Sequence, residues 1–227
     1  MRDQIETLIA HDLAYTFLSK AFYEAPEKSF IDLLSAESLF DSWPLDSDLP
    51  EVDTGLTLLR NFCSSWDGSN FEALQHDHRR LFIGPGNMLA PPWESVYLSP
   101  DHVLFDVQTV EVRRVFQRFG MPIPHLYHEP EDHLGLELRF IAYLCASALA
   151  STDKQPEPSP ATVNVMVAEV RHFLDAHLLK WAPQCLKLVI DRATTDYYRG
   201  CAHLTLGCLA HTSALMQNAA IPLETVR

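Results

Sequence analysis

The sequence predicts an all-α protein that folds as a single helical domain over residues 1–227. Apolar residues recur at spacings of three and four along most of the chain, which is the period of one face of an α-helix. The alternation of apolar and polar residues that marks a β-strand is absent over any useful length. A chain of 227 residues can bury roughly 70–75% of the surface that its unfolded form exposes, so the fold needs no disulfide or metal.

The first half of the chain carries five apolar stripes at helical spacing. In order they are Ile5, Leu8, Ile9, Leu13, Phe17 and Ala21; Phe30, Leu33 and Leu34; Leu56, Leu59 and Phe62; Phe71, Leu74, His78, Leu81 and Phe82; and Val107, Val110, Val115, Phe116 and Phe119. A loop is expected over 41–50, which is rich in Asp, Ser and Pro. Ser69 or Asn70 is expected to cap the fourth helix, and Gly120 to end the fifth.

The second half of the chain carries the remaining helices. Their apolar residues are Leu134, Leu138, Ile141, Ala142 and Cys145; Val163, Met166, Val167, Val170, Phe173 and Leu174; Cys185, Leu186, Val189 and Ile190; and the stretch from Tyr197 to Leu215. The first of these helices is expected to begin at Pro130 and to run to about Ala150, because proline suits the first turn of a helix. An exposed connection over 151–159 and a loose tail after 218 complete a bundle of about nine to ten or more helices.

The charge and the cysteines restrict the class of partner and the compartment. The chain has 17 Lys and Arg against 30 Asp and Glu, a formal net charge of −13. Such a surface repels nucleic acid and favours a basic peptide, although the same excess also serves solubility alone. Five cysteines without a C-x-x-C pair predict free thiols in a reducing compartment. No secretory signal or membrane span is recognisable, so a cytoplasmic location is predicted.

A segment rich in proline, glycine and aromatic residues interrupts the helical pattern over 81–98. It reads Leu81-Phe82-Ile83-Gly84-Pro85-Gly86 and then Pro91-Pro92-Trp93-Glu94-Ser95-Val96-Tyr97-Leu98. Prolines fix the backbone, and Trp93 and Tyr97 are residue types that anchor bound peptides. A stiff loop that fills the core is the alternative interpretation. Residues 93–98 are expected to form a short extended or turn segment.

An acidic turn, defined here as Glu129-Pro130-Glu131-Asp132-His133, follows later in the chain. Carboxylates in a first helical turn complement the helix dipole by about 0.3–1 kcal/mol each, which is a sufficient structural explanation. The functional alternative places three carboxylates at one surface, where they would pair with guanidinium groups of a partner. Gly135 weakens the helix that follows and predicts a close approach of another backbone.

Two further patterns are weaker. The stretch His177-Leu178-Leu179-Lys180-Trp181 joins two helices, and Trp181 is expected to pack in the core. His133 and Glu137 lie four residues apart, so an acid–base pair in an all-helical hydrolase is an alternative, although a surface pair is favoured. We expect neither a catalytic site nor a metal site.

The three segments together resemble the TorD/DmsD family of redox-enzyme maturation chaperones. Leu81-Phe82-x-Gly84-Pro85 with Pro91-Pro92-Trp93-x-Ser95-Val96-Tyr97-Leu98 resembles the DmsD-type branch. Glu129-Pro130-x-Asp132-His133-x-Gly135 resembles a segment shared across the family, and His177-Leu178-Leu179-x-Trp181 is similar to its H-L-x-x-W segment. The order and spacing of these segments fit over nearly the whole chain.

The resemblance implies a chaperone that is not an enzyme. It would bind the twin-arginine leader of a molybdopterin oxidoreductase of the dimethyl sulfoxide or trimethylamine N-oxide reductase type. It would hold the catalytic subunit until the cofactor is inserted and the export machinery takes over. A NarJ-type chaperone for a nitrate reductase is the alternative, against which the Pro91-Pro92-Trp93 segment argues.

The resemblance also bears on cofactors, oligomeric state and leader contacts. Weak guanine-nucleotide binding and domain-swapped dimers occur in the family, but the sequence has no nucleotide motif, and we expect a monomer without a cofactor. The implied leader-binding residues are Leu81, Phe82, Gly84, Pro85, Pro91, Pro92, Trp93, Ser95, Tyr97, Glu129, Pro130, Glu131, Asp132 and His133. The apolar part of the leader would lie against the first segment, and its arginines would face the acidic turn.

Overall fold

The computed structural model describes residues 2–45, 47–84, 87–101, 103–124, 126, 129–150 and 159–218. Within these ranges the chain forms ten α-helices and no β-strand, so the predicted all-α class is confirmed. The helices are α1 (Arg2–Tyr23), α2 (Lys28–Ala36), α3 (Pro50–Ser64), α4 (Phe71–His78), α5 (Glu94–Leu98), α6 (Val107–Phe119), α7 (Leu134–Leu149), α8 (Pro160–Phe173), α9 (Leu179–Arg192) and α10 (Asp196–Asn218). A 3-10 turn covers Leu39–Ser42, and π-helical turns cover Arg79–Ile83 and Leu174–Leu178.

Some sequence predictions fall where no structure is described. These are the exposed connection, apart from Ser159, and the tail after 218. The five cysteines are free thiols, as predicted, and all but Cys63 are buried. None of the helices in the described ranges combines the length and the hydropathy that a membrane span requires.

Two long helix pairs make up much of the core, α1 against α7 and α3 against α10. Glycines permit the close approach of each pair. A methyl group added at Gly135 of α7 would lie 2.5 Å from the Tyr23 Cβ atom and 2.9 Å from the Tyr23 backbone nitrogen. One added at Gly207 of α10 would lie 2.4 Å from a Val52 methyl carbon. The close approach predicted from Gly135 is therefore confirmed.

Helix ends in this fold are set partly by local residues and partly by distant ones. Gly120 ends α6 with a φ of 72°, as the sequence predicts. In contrast, α10 is capped from outside its own segment. The buried carboxylate of Asp77 accepts hydrogen bonds from the Thr194 and Thr195 backbone N–H groups, each at 2.9 Å, and from the Thr195 hydroxyl at 2.8 Å.

The prediction that a helix begins at Pro130 is wrong. Helix α7 begins at Leu134, and His133 is its N-cap, with Nδ1 accepting the Gly135 N–H at 3.0 Å. The physical reason lies in a distant segment. The Leu134 N–H donates to the Pro92 carbonyl at 2.8 Å, and the Asp132 carbonyl accepts the Glu94 N–H at 2.9 Å. These contacts hold the acidic turn in an extended path that a helical turn would break.

The extended or turn conformation expected for residues 93–98 is also wrong beyond Trp93. Residues 94–98 form the short helix α5 because Asp132 caps its N-terminus. The Asp132 carboxylate accepts the Ser95 N–H at 2.7 Å, in addition to the carbonyl contact with Glu94.

The fourth predicted helix is regular only as far as His78. From Arg79 to Ile83 it widens into a π-helical turn, which closes with a hydrogen bond of 2.8 Å from the Gly84 N–H to the Arg79 carbonyl. Gly84 then leaves the turn with a φ of 99°, which a residue with a side chain rarely adopts. Such π turns are frequent at functional sites.

Candidate functional site

The proline-rich segment and the acidic turn meet at one place in the fold. Trp93 and His133 form an antiparallel β-bridge, and their rings lie edge to face with centroids 5.4 Å apart. The backbone hydrogen bonds on either side of this bridge bring together residues about forty positions apart. The two segments that sequence analysis singled out are therefore one structural unit.

The His177–Trp181 segment packs against this unit. His177 Nδ1 lies 2.9 Å from a carboxylate oxygen of Glu94, the first residue of α5. The Trp181 indole N–H donates to the Glu137 carboxylate at 3.2 Å, and its ring lies 5.5 Å from the ring of Tyr97. Trp181 is fully buried, which confirms the predicted core position.

Glu131 and Asp132 do not lie at the surface that the sequence predicts for them. Both side chains are fully buried. Arg113 binds Glu131 through two hydrogen bonds, of 2.9 and 2.7 Å, and the Thr109 hydroxyl donates to Asp132 at 2.6 Å. The placement of three carboxylates at one surface is thus wrong, because α5 and α6 supply internal donors for two of them. Glu129 alone of the three remains partly exposed.

Glu129 lies at the edge of a cavity of about 230 Å³ beside the Trp93–His133 bridge. We call this the aromatic cavity. Its lining residues are Phe22, Tyr23, His78, Phe82, Ile83, Met88, Trp93, Glu129 and His133. Four of these, Phe82, Trp93, Glu129 and His133, are leader contacts implied by the sequence.

The rings in the aromatic cavity hold one another in edge-to-face contacts. The His133 ring centroid lies 5.2 Å from that of Tyr23 and 5.4 Å from that of Trp93. The His78 and Phe82 centroids are 5.5 Å apart. Such contacts contribute about 0.5–1.5 kcal/mol each beyond burial, so the walls of the cavity are preorganised.

The histidines of the aromatic cavity carry no charge at neutral pH. Burial, with a smaller contribution from the nearby His78, lowers the pKa of His133 to about 3. Burial and the charge of Arg79 lower the pKa of His78 to about 4. Among the described lining residues, Glu129 is the only carboxylate, and no lysine or arginine faces it there. The cavity therefore offers a single negative charge among apolar and neutral groups.

Two polar groups belong to side chains that line the aromatic cavity. The Tyr23 hydroxyl donates to a Glu129 carboxylate oxygen at 2.9 Å and so fixes the orientation of the carboxylate. The Trp93 indole N–H is buried and has no acceptor among the described residues. A buried donor without a partner costs about 1–3 kcal/mol, which a carbonyl group of a bound molecule would recover.

Several other residues of the implied leader site lie outside this cavity. Leu81 and Ser95 are fully buried, and Tyr97 packs against Trp181. Pro91 accepts the thiol of Cys185 through its carbonyl, at 3.6 Å. The remaining members are Gly84 at the end of the π turn, Pro92 in the bridge, and the buried Pro130, while Pro85 lies outside the described residues. These residues shape the segment that presents Phe82 and Trp93.

Glu137 occupies a buried polar network rather than a catalytic pair. Burial, followed by the charges of Glu94 and Asp132, raises its pKa well above the ordinary value. Its side chain accepts from Trp181, and no hydrogen bond joins it to His133, whose Nδ1 accepts from Gly135. The pair that an all-helical hydrolase would use is not formed.

Five residues of the aromatic cavity were not predicted from the sequence as site residues: Phe22, Tyr23, His78, Ile83 and Met88. Tyr23 is the most informative of them, because it comes from the end of α1 and more than a hundred positions separate it from Glu129. Gly135 gave an indirect indication of this contact, because its missing side chain makes room for the Tyr23 backbone. The sequence alone did not identify which helix would use that room.

The chain is similar to known proteins over much of its length. A protein-family model described as nitrate reductase delta subunit matches residues 46–187. That range contains the proline-rich segment, the acidic turn and the His177–Trp181 segment.

Three relatives illustrate the similarity over the chain. The Tat proofreading chaperone DmsD of Salmonella typhi is 28% identical over 201 residues, which are 87% of this chain and 86% of that protein. The chaperone protein TorD of Vibrio cholerae is 27% identical over 199 residues, 85% of each chain. A probable Tat proofreading chaperone DmsD of Haemophilus influenzae is 31% identical over 136 residues, covering 60% of this chain and 58% of that protein.

Proposed function

The chain belongs to the TorD/DmsD family of redox-enzyme maturation chaperones, and from this premise we propose that it binds the twin-arginine leader of a molybdopterin oxidoreductase. The client is the catalytic subunit of an enzyme of the dimethyl sulfoxide or trimethylamine N-oxide reductase type. In the cytoplasm, the chaperone holds this subunit while its cofactor is inserted and releases it for export. The relative named Tat proofreading chaperone DmsD supports a role in the Tat pathway, and the relative named chaperone protein TorD supports a chaperone function.

The observation that carries the proposal is the single carboxylate of the aromatic cavity. A leader arginine binds Glu129 through its guanidinium group, because that group presents a planar pair of donors that matches a carboxylate. The adjoining apolar side chain of the leader packs against Phe82 and Trp93. The free indole N–H of Trp93 donates to a leader carbonyl group.

The two buried carboxylates of the acidic turn influence leader binding only indirectly, through the residues that they position. Asp132 ties the turn to α5 and α6, and Glu131 ties it to Arg113. Because both are fully buried and already bonded, they position Trp93 and Glu129 and do not themselves receive the leader. The implied leader site is thereby narrowed to Phe82, Trp93, Glu129 and His133, with the added contribution of Tyr23.

Moderate affinity is consistent with these contacts. Burial of roughly 300–400 Å² of apolar leader surface contributes about 7–10 kcal/mol, and the ordering of a flexible peptide removes several of these. The remaining gain of about 4–7 kcal/mol corresponds to a dissociation constant between about 1 mM and 10 μM. The half-exposed ion pair at Glu129 contributes orientation and association rate more than affinity.

A nitrate reductase is the second candidate client, because the matching family model carries the description nitrate reductase delta subunit. The two clients are separated by their leaders. The experiment is calorimetric titration of the whole protein with synthetic leaders of the molybdoenzymes encoded in the same genome, including any nitrate reductase. Binding of a leader of the dimethyl sulfoxide or trimethylamine N-oxide reductase type in preference to the others supports the proposal.

Matched variants test the part assigned to the cavity. Glu129→Gln should weaken leader binding about three- to tenfold at low salt, and the difference should shrink as salt is added, since the lost contact is an ion pair. Glu111→Gln, an exposed glutamate of α6 outside the cavity, should bind like the wild type. Absence of heat with every leader would refute the proposed function.

A further inference from the structure

A second, polar cavity also has Tyr23 in its wall. It has a volume of about 280 Å³ and is formed between α1 and α7, with Asp12, Lys20, Glu24 and Arg139 among its lining residues. Tyr23 lines both this cavity and the aromatic cavity. A peptide that occupies the aromatic cavity and passes over Tyr23 would therefore reach the polar cavity.

The charges of the polar cavity are not equally available. Lys20 forms an ion pair with Glu24 one helical turn away. Asp12 accepts a hydrogen bond from the Thr16 hydroxyl at 3.3 Å, and burial raises its pKa. Arg139 is exposed on α7 and has no hydrogen bond or ion pair with another described residue. It is thus the cation of this cavity that is free to bind an anion.

Arg139 also lies close enough to Tyr23 to influence it. Burial and the hydrogen bond to Glu129 raise the pKa of the Tyr23 hydroxyl, and the positive charge of Arg139 opposes that shift. Glu129 and Arg139 therefore approach the same tyrosine with opposite charges. An unpaired guanidinium group close to the tyrosine that binds this carboxylate disfavours a purely basic peptide.

We propose that Arg139 forms a second subsite, which binds a side-chain carboxylate of the same peptide whose basic residue is bound by Glu129. This inference rests on the proposed function and adds a rule of client selection to it. The preferred leader carries an acidic residue a few positions from its arginine pair, placed so that the two charges lie on either side of Tyr23. The planar guanidinium group of Arg139 suits this role because it binds carboxylates through two parallel hydrogen bonds.

The experiment uses the whole protein and a panel of synthetic twin-arginine peptides. In one series a single glutamate is moved through each position around the arginine pair, and in a second series a lysine takes the same positions. Wild-type protein should bind the glutamate peptide more tightly than the lysine peptide at one or two adjacent positions, by about three- to tenfold. Arg139→Glu should invert that preference at the same positions.

Arg114→Glu provides the matched control, because Arg114 is an exposed arginine of α6 that lines neither cavity. It changes the net charge by the same amount and should retain the wild-type ranking. If the peptides bind and Glu129→Gln weakens them, but Arg139→Glu leaves the ranking unchanged, the second subsite is refuted and the proposed function stands. If no peptide binds the wild type, both are refuted.

Discussion

Trp93 and His133 lie side by side in an antiparallel backbone bridge, with their rings nearly perpendicular at an interplanar angle of 84°. Because His133 also caps α7, the bridge fixes the position of Trp93 relative to a long core helix. The aromatic wall of the cavity is consequently anchored to the centre of the fold. Substitution of the buried residues that support this bridge should therefore weaken leader binding, although these residues do not contact the leader.

Asp132 provides the first test of this indirect effect. Asp132→Ala removes the acceptor of the Ser95 N–H and of the Thr109 hydroxyl, and hydrogen bonds to a charged group contribute about 1.5–3 kcal/mol each. We expect a lower free energy of unfolding by urea and weaker leader binding. Unlike the loss caused by Glu129→Gln, the loss of affinity should not depend on salt. A loss that salt abolishes would instead place Asp132 in direct contact with the leader.

Gly135→Ala should disturb the site through Tyr23. The added methyl group would overlap the Tyr23 backbone, so α1 or α7 must shift, at a cost of about 1–3 kcal/mol in the free energy of unfolding. Calorimetry should show weaker leader binding because Tyr23 moves. Gly120→Ala is the control: it costs about 1–2 kcal/mol through its left-handed backbone but meets only the Tyr143 hydroxyl at 3.7 Å. Equal leader affinity for both variants would contradict this role of Tyr23.

The two cavity histidines should make the fold sensitive to acid. In the unfolded chain both imidazoles take up a proton near pH 6.5, whereas in the fold the pKa values are about 4 for His78 and about 3 for His133. Between the pKa of each histidine in the fold and pH 6.5, the unfolded chain binds more protons than the folded chain. The free energy of unfolding should therefore fall as the pH drops below about 6.5, by up to about 1.4 kcal/mol per pH unit for each histidine.

Urea unfolding between pH 7.5 and pH 4.5 measures this slope. His133→Asn retains a side-chain acceptor for the Gly135 N–H and should remove the contribution of one proton to the slope. His76→Asn, at an exposed position of α4, should leave the slope as in the wild type. An unchanged slope in His133→Asn would show that His133 does not remain neutral in the fold.

Glu137 should have the opposite dependence on pH. Burial and the neighbouring carboxylates raise its pKa in the fold, so above the ordinary value of 4.5 the unfolded chain releases a proton that the fold retains. Stability is then lost as the pH rises, by up to about 1.4 kcal/mol per pH unit. In alkali, Glu137→Gln should have a higher melting temperature than the wild type. Thermal unfolding at several pH values should show that this difference increases with pH. Glu72→Gln, at an exposed position of α4, should show no such margin.

The sequence predicted more of the helices than of the site. Helical periodicity located the long helices, and Gly120 and Gly135 correctly indicated a helix end and a close packing contact, because each depends on local backbone geometry or on the absence of a side chain. The start of α7 and the existence of α5 were mispredicted. Both depend on Asp132 and Pro92 binding backbone groups of the other segment, and no local pattern encodes such partners.

The amino-acid sequence by itself determined the all-α class, the family resemblance and the two segments that meet at the Trp93–His133 bridge. These follow from periodicity and from short motifs, which are properties of the chain order. Only the tertiary structure decided which carboxylates are available to a ligand. Glu131 and Asp132 are buried because α5 and α6 supply donors to them, whereas Glu129 is held at the cavity edge by Tyr23, which lies 106 positions earlier in the chain. Whether a carboxylate can reach a ligand depends on such distant partners, so it is decided only when the helices pack.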